Sequence, residues 1–322
     1  MNLNLNSVRE ARPTRDGYGD GLIELAQKNK NIMVLCADLT ESTRVQKFRE
    51  KFPQQFIEIG VAEQNLVTVA SGLAAVGKIP FVSSYAMFCP GRCWEQIRTT
   101  IGYNNRNVKI IGAHSGISVG PDGATHQAIE DIGIMRGIAN MIVLVPADSR
   151  EARRATVAAA KIKGPVYIRY AREKTPVVTT DDTPFEVGKA YCYREGKDVV
   201  LVAAGPLVYE ALLAAEELAK EKISACVRNA PTIKPLDEAT IIKAAKECGA
   251  VVSCEEHQII NGLGSAVAEA LGRNYPTPQE FIGVQNRFGE SGEPDELMDK
   301  FGLRAKDIAV AAKKAISRKE KK

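Results

Sequence analysis

The sequence predicts an α/β protein of two successive domains, each a mostly parallel β-sheet covered by helices. The chain has 322 residues, which is enough for about two domains of ordinary size. Short, continuous apolar runs alternate with longer amphipathic stretches, as is typical of parallel strands that are buried on both faces. This alternation is interrupted once, at residues 174–186, where two prolines, four threonines and two aspartates indicate a linker.

The first domain is predicted to span residues 1–178. Its strands are expected at residues 32–37, 56–59, 80–84, 108–114, 141–145 and 166–170. Its helices are expected at residues 62–76, 92–102, 125–136 and 149–160. The strands are short and apolar, and the helical stretches are longer and amphipathic, which favours strands joined by crossover helices.

The second domain is predicted to span residues 179–322 and to repeat this alternation. Its strands are expected at residues 199–203, 224–227, 250–254 and 281–284. Its helices are expected at residues 207–220, 238–248, 264–271 and 293–300.

The composition excludes several classes of protein. The 43 basic and 39 acidic residues nearly cancel, so nothing in the net charge of +4 indicates a nucleic-acid partner. The sequence has no run of 18 apolar residues and no apolar segment of the signal-peptide kind at its start, so no membrane partner is expected. The seven cysteines are scattered, and no pair has zinc-type spacing with nearby histidines. A reduced, cytoplasmic protein without a metal site of its own is expected.

Two of the three histidines lie in one segment, at residues 114–127. His114 ends a predicted strand, and Asp122 and His126 lie in the glycine-rich connection and at the start of the next predicted helix. Ligands of open α/β sheets bind outside the carboxyl ends of the strands, so these side chains are candidates for a binding site. The alternative is a turn capped by Asp122, with histidines that face solvent.

Two further candidates follow predicted strands. Glu63 lies in the first turn of a predicted helix, where a carboxylate is also favoured by the helix dipole alone. Tyr85 and Phe88 follow the next strand. These two rings could stack on a flat ligand, or they could simply cover the core.

Taken in order, these segments resemble the transketolase family, over nearly the full chain. The stretch Gly60-Val61-Ala62-Glu63-Gln64 is similar to the glutamate motif of that family, and Asp122 and His126 match its Asp-Gly-x-x-His pattern. The resemblance implies a pyrimidine-binding domain followed by a transketolase C-terminal domain. The part of the family that binds the diphosphate and the metal has no counterpart here.

The resemblance also implies a role for each candidate residue. Glu63 would bond to the aminopyrimidine ring of thiamin diphosphate and take part in catalysis, as would His126. Tyr85 and Phe88 would pack on that ring, with Asp38 near the cofactor. Asp122 and His126 would contact the sugar hydroxyls. The sugar phosphate would be held by residues able to make charge-assisted or polar bonds, namely Arg15, Ser42, His114 and Arg172.

The implied activity is that of a transferase that moves a two-carbon ketol unit from a ketose phosphate to an aldose phosphate, as in the pentose phosphate pathway. The cofactor would be shared with an N-terminal transketolase subunit that holds magnesium or calcium. Self-association through the C-terminal domain would then give a heterotetramer. Gly19-Asp20-Gly21 resembles the start of the family's metal motif, but no buried strand precedes it, so no metal is expected there.

Three alternatives stay open from the sequence. One is the beta subunit of a two-oxo-acid dehydrogenase, which shares the architecture and the glutamate but needs no sugar-phosphate residues. Another is part of a deoxyxylulose-phosphate synthase. The third is a non-catalytic scaffold subunit that has kept the fold.

Overall fold

The computed structural model describes residues 5, 8 and 10–319 and confirms the predicted class. Two main sheets, one of seven strands and one of five, are covered by helices. The strands are β1 (Ala11–Pro13), β2 (Ile32–Cys36), β3 (Phe56–Glu58), β4 (Ile79–Tyr85), β5 (Lys109–Ala113), β6 (Ile142–Leu144), β7 (Val166–Arg169), β8 (Lys174–Pro176), β9 (Tyr191–Arg194), β10 (Val199–Ala203), β11 (Ala225–Asn229), β12 (Thr232–Lys234), β13 (Val251–Gln258) and β14 (Gln279–Val284).

The helices follow the strands in the predicted alternation. They are α1 (Thr14–Lys28), α2 (Gln46–Lys51), α3 (Glu63–Ala75), α4 (Trp94–Gln96, continued by a π-helical turn at Ile97–Gly102), α5 (Asp131–Arg136), α6 (Ser149–Lys161), α7 (Leu207–Lys220), α8 (Glu238–Cys248), α9 (Leu263–Asn274), α10 (Pro294–Lys300) and α11 (Ala305–Lys319). Each helix in the described part of the chain is too short or too polar to cross a lipid bilayer.

The large sheet has the strand order β12-β6-β7-β5-β4-β2-β3, and the small sheet has the order β14-β13-β10-β11-β9. All neighbours are parallel except at one edge of each sheet, where β12 and β9 pair antiparallel. Strand β12 comes from the C-terminal half of the chain but completes the sheet of the N-terminal half. A strand of three residues carries too little periodicity to be predicted from sequence.

Helix α1 was not predicted, because its three glycines lower the helix propensity of the segment. The structure explains two of them by close packing against α6. A Cβ atom at Gly17 would overlap the carbonyl oxygen of Ser149, and one at Gly21 would lie 2.8 Å from Cβ of Thr156. Asp20 therefore lies inside a helix, where it pairs with Arg12 at 2.7 Å.

We expect Gly17→Ala to destabilise the protein by roughly 1–3 kcal/mol, because the added methyl group must push α1 and α6 apart. Gly72→Ala in α3 is the matched control, since a Cβ atom there would meet nothing within 4 Å. This control should stabilise the protein by about 0.5–1 kcal/mol through helix propensity. Denaturant unfolding of both variants measures the difference, and equal effects would contradict close packing of α1 on α6.

The polar stretch after β7 is ordered, and part of it is strand. β8 pairs antiparallel with β1, and the segment behind it is held by the buried side chain of Asp148. One carboxylate oxygen of Asp148 accepts hydrogen bonds from the backbone N–H groups of Val178 and Thr179, at 2.9 and 2.7 Å. The predicted boundary between residues 178 and 179 stays a prediction, and it falls within this anchored segment.

A second buried carboxylate joins the two halves of the chain. Glu151 in α6 accepts a hydrogen bond from Asn229 Nδ2 in β11 at 2.8 Å, and another from the N–H of Ala147. Burial, with Asp148 close by, raises the pKa of Glu151 to about 7. The hydrogen bond from Asn229 joins β11 of the small sheet to α6 of the N-terminal half, and the bond from Ala147 orients the carboxylate for it.

Candidate active site

The candidate residues meet at the carboxyl ends of the parallel strands of the large sheet. Tyr85 is the last residue of β4, His114 directly follows β5, and Arg172 lies three residues beyond β7. Glu63 begins α3, after β3 and the turn at Gly60, whose φ of +80° is in the region that favours glycine. This is the edge at which open α/β sheets bind ligands.

Glu63 is a buried carboxylate with both oxygens oriented. Its side chain is only 2% exposed, and Oε1 accepts a hydrogen bond from Ser84 Oγ at 3.2 Å. Oε2 accepts from Arg92 Nη1 at 3.0 Å. Arg92 and Ser84 were not predicted as site residues. Each is more than 20 residues away from Glu63 in the sequence, so no local pattern indicates the contact.

An aromatic cluster lies beside the glutamate. The rings of Tyr85 and His114 stack with centroids 4.0 Å apart, and the edge of His126 meets Phe88 at 5.3 Å. The guanidinium of Arg92 lies 4.9 Å from the centre of the Phe88 ring. Tyr85, Phe88, His114 and His126 thus lie together, with one face of Phe88 covered by the same arginine that bonds to Glu63.

His114 is held as a neutral ring. Arg15 Nη1 lies 3.0 Å from His114 Nε2, and since a guanidinium can only donate, Nε2 is the acceptor and Nδ1 carries the proton. Burial, followed by the charges of Arg15, Arg172 and Arg44, lowers the pKa of His114 to about 3. The buried Nδ1 has no hydrogen-bond partner within the described residues, so this donor is available to a ligand oxygen.

We expect NMR of His114 to show a neutral ring protonated at Nδ1 from pH 8 down to about pH 5. The folded state does not take up the proton that the unfolded chain binds near its ordinary pKa of 6.5. The free energy of unfolding should therefore decrease as the pH falls from about 6.5 towards 3, because only the unfolded chain gains a proton at His114 in this range. Nitrogen chemical shifts of the ring report the tautomer directly, and a titration midpoint near 6.5 would contradict this assignment.

Three arginines, which we call the arginine group, surround His114: Arg15, Arg44 and Arg172. Arg15 Nη1 also donates to the backbone carbonyl of Ser42 at 2.8 Å, so the observed contact of Ser42 is through its main chain. Arg15 Nε is buried and has no partner among residues 5, 8 and 10–319. Arg44, which was not predicted, has a φ of +65° and bonds through Nε to Asp16 at 2.7 Å.

The loop that carries Asp122 and His126 begins with a 3₁₀ turn (Ile117–Asp122) and is not the start of the predicted helix. The predicted helix at residues 125–136 is wrong in its first half, because α5 begins only at Asp131. Gln127 Nε2 donates to the carbonyls of Ile117 and Gly120, which fixes the loop.

Within that loop, the two predicted residues differ in their surroundings. Asp122 is exposed at the rim, whereas His126 is half-buried against Phe88. Arg172 Nη1 donates to the carbonyl of Val119 at 2.6 Å, which ties the loop to the arginine group.

Asp38 is exposed and is the predicted residue least integrated into the site. Its φ of +56° places it in a tight turn, and its N–H donates to Glu58 Oε1 at 2.8 Å. In the described part of the chain, the Asp38 carboxylate makes no hydrogen bond or ion pair. Glu58 also accepts from the N–H of Gly60, so it links the turn at Asp38 to the turn that positions Glu63.

Comparison with known proteins agrees with this geometry. Residues 10–177 match the transketolase pyrimidine-binding domain, and residues 188–308 match the transketolase C-terminal domain. The 6-deoxy-6-sulfo-D-fructose transketolase subunit SqwH of Clostridium sp. (strain MSTE9) is 45% identical over 319 residues, covering 99% of each chain. A subunit of the apulose-4-phosphate transketolase of Phocaeicola vulgatus is 36% identical over 92% of this chain and 96% of its own.

A similar solved structure indicates the same family. It is described as a split gene transketolase, inactive beta4 tetramer, and it superposes with a TM-score of 0.90 at 47% identity. The match covers 95% of this chain and 99% of that one. The resemblance seen in the sequence is confirmed: this chain belongs to the transketolase family of thiamin diphosphate-dependent transferases, as a subunit of the split type that carries the pyrimidine-binding and C-terminal domains.

Proposed function

We propose that this chain, together with an N-terminal transketolase subunit, transfers a two-carbon ketol unit from a ketose to an aldose, both bearing a terminal anionic group. The observation that carries the proposal is the convergence of buried Glu63, the aromatic cluster and the arginine group at one edge of the large sheet. A two-oxo-acid has no terminal phosphate, so a two-oxo-acid dehydrogenase subunit would have no use for the arginine group.

The residues present suit the pyrimidine end of thiamin diphosphate. Glu63 provides a buried carboxylate for a ring nitrogen, and Phe88 provides a flat surface at the same place. The side chain of Arg92 covers both Glu63 and the ring of Phe88. Binding of the pyrimidine ring therefore requires this side chain, which is 51% exposed, to move outward. Thiamin diphosphate, when bound, supplies the electron sink for breaking and forming the carbon–carbon bond.

This chain contributes proton transfer and position. Glu63 exchanges a proton with the ring nitrogen, and its orientation is set by Ser84. His114, neutral and protonated at Nδ1, donates a hydrogen bond to an oxygen of the sugar phosphate without adding charge. Asp122 at the rim and half-buried His126 contact sugar hydroxyls, and His126 also takes part in proton transfer.

The arginine group and Ser42, whose carbonyl accepts from Arg15, form the end of the site that binds the phosphate. Arginine suits this task because its planar fork makes paired, charge-assisted hydrogen bonds with oxyanions. The buried Nε of Arg15, which lacks a partner among the described residues, is one such donor. Asp38 is placed near the cofactor in this proposal.

The diphosphate and a magnesium or calcium ion would be held by the partner chain. Two relatives are named as subunits, and the similar solved chain is described as an inactive tetramer of beta chains. These names support a division of the site between two polypeptides. The tetramer also supports self-association, which in this proposal runs through the C-terminal domain and gives a heterotetramer with the partner chain.

A second candidate differs in the donor sugar. The relative named as a 6-deoxy-6-sulfo-D-fructose transketolase subunit is 45% identical over nearly the whole chain. A sulfonate has three oxygens in nearly the same arrangement as a phosphate, but only one negative charge. The arginine group would bind either anion, so the pentose phosphate pathway and sulfosugar metabolism are both consistent with this site.

Reconstitution tests the proposal. This chain should be co-purified with the product of the neighbouring gene and assayed with ribose 5-phosphate as acceptor. Xylulose 5-phosphate and 6-deoxy-6-sulfofructose, as alternative donors, distinguish the two candidates. The isolated chain should show no turnover and weak calorimetric binding of thiamin diphosphate, and tight binding or turnover without a partner would overturn the shared site.

A further inference from the structure

A group of thiols lies in the C-terminal domain, apart from the candidate active site. Cys192 is in the edge strand β9, Cys226 is in β11, and Cys248 is the last residue of α8. The sulfur atoms of Cys192 and Cys226 and a carboxylate oxygen of Glu195 all lie within 4.8 Å of one another. The Cys226 thiol is also within hydrogen-bonding reach of Cys248. We call these four residues the thiol cluster.

The fold brings the cluster together from distant parts of the sequence. β9 pairs antiparallel with β11, with a register shift between Val227 and Arg228. Cys248 Sγ lies 3.5 Å from the carbonyl oxygen of Gly196, in the turn after β9. The spacing of these cysteines is too long for a sequence motif, which is why the zinc-type pattern was absent from the sequence.

The accessibility of the cluster suits a bound ion. Cys226 is only 1% exposed, which shields this ligand from water, and the neighbouring Cys248 is equally buried. The Glu195 side chain is 68% exposed and leaves a path for an ion from solvent.

The guanidinium of Arg228, beside the cluster, offsets part of its negative charge. The side chain of Arg228 is 12% exposed, and its Nη2 lies 3.8 Å from Glu195. Thiols lose their protons when they bind a metal, so two thiolates and a carboxylate would exceed the charge of a divalent ion. The guanidinium would compensate for part of that excess.

We propose that the thiol cluster binds one zinc-type divalent cation, with Cys192, Cys226 and Glu195 as ligands and water in the fourth position. Thiolate ligands select soft or borderline ions such as Zn²⁺ over Mg²⁺ or Ca²⁺. Zn²⁺ is usually four-coordinate, and it takes both cysteine sulfur and carboxylate oxygen. The ion would fasten the edge strand β9 to β11.

Metal titration of the full-length chain tests this site. The reduced protein, freed of metal by a chelator, is titrated with Co²⁺ alone and with Zn²⁺ alone. One equivalent of Co²⁺ should produce a thiolate charge-transfer band and the strong visible bands of tetrahedral cobalt. One equivalent of Zn²⁺ added to the Co²⁺-loaded protein should abolish both kinds of band, and Zn²⁺ alone should raise the melting temperature of the metal-free protein.

Substitutions locate the ion. Changes beside a metal site cost about 10–100-fold in affinity, so loss of a ligand in Cys192→Ser should weaken Zn²⁺ binding by more than about tenfold. Glu195→Gln should also weaken Zn²⁺ binding. Because the Glu195 side chain is exposed, this substitution should leave the fold intact, so misfolding would not explain the loss of affinity. Cys254→Ala is the control, because Cys254 is a fully buried thiol in β13 outside the cluster.

Three results would overturn the proposal. One is the absence of a cobalt–thiolate band from the reduced wild-type protein. Another is an equal loss of affinity in Cys254→Ala and Cys192→Ser. The third is a disulfide between Cys192 and Cys226 that forms in preference to metal binding.

Discussion

Glu63→Gln in the reconstituted complex is expected to lower kcat by about 10²–10⁴-fold, the usual loss when a group that transfers a proton is removed. Glutamine keeps the size of the side chain and can still accept the hydrogen bond from Ser84. It cannot exchange a proton with a ring nitrogen. Steady-state turnover, measured at saturating thiamin diphosphate, separates this loss from weaker cofactor binding.

Glu217→Gln in α7 is the control for the change in charge, because Glu217 is an exposed glutamate in the other domain. It should keep wild-type turnover. If Glu63→Gln retained near-normal kcat, Glu63 would have no part in proton transfer and would serve only to bind Arg92.

Arg172→Ala is expected to raise KM for phosphorylated sugars by about 10–100-fold, because a hydrogen bond to a charged group is worth about 1.5–3 kcal/mol. KM for the unphosphorylated analogues should change little. Arg172 also donates to the carbonyl of Val119, so a displaced loop would affect both kinds of substrate alike. The ratio of the two KM changes therefore separates phosphate binding from loop support.

Arg150→Ala is a matched control for Arg172→Ala. Arg150 likewise donates to a backbone carbonyl, that of Thr179, and its side chain is 39% exposed against 31% for Arg172. It belongs to α6, outside the arginine group, so KM should stay unchanged for both kinds of substrate. Equal KM changes for phosphorylated and unphosphorylated sugars in Arg172→Ala would remove Arg172 from the phosphate end of the site.

The predicted strands agree with the structure to within a few residues, because each is a continuous apolar run between polar segments. The strand at Val199–Ala203 and the helices at Leu207–Lys220 and Glu238–Cys248 have the predicted bounds. The helix predicted from residue 125 was wrong in its first half, because the side chain of Gln127 bonds to nearby carbonyls and holds a loop. Helix α1 was missed because its glycines serve packing against α6, which a local pattern cannot show.

The sequence by itself determined the class of fold, the order of strands and helices and the placement of Glu63, Tyr85 and His114 after successive strands. These depend on local periodicity and on the rule that parallel strands share one carboxyl edge. Only the tertiary structure decided that Arg92 pairs with Glu63, that Arg44 joins Arg15 and Arg172 around His114, and that three distant cysteines meet. The physical reason is that each of these depends on contacts between residues far apart in the chain, which no local pattern encodes.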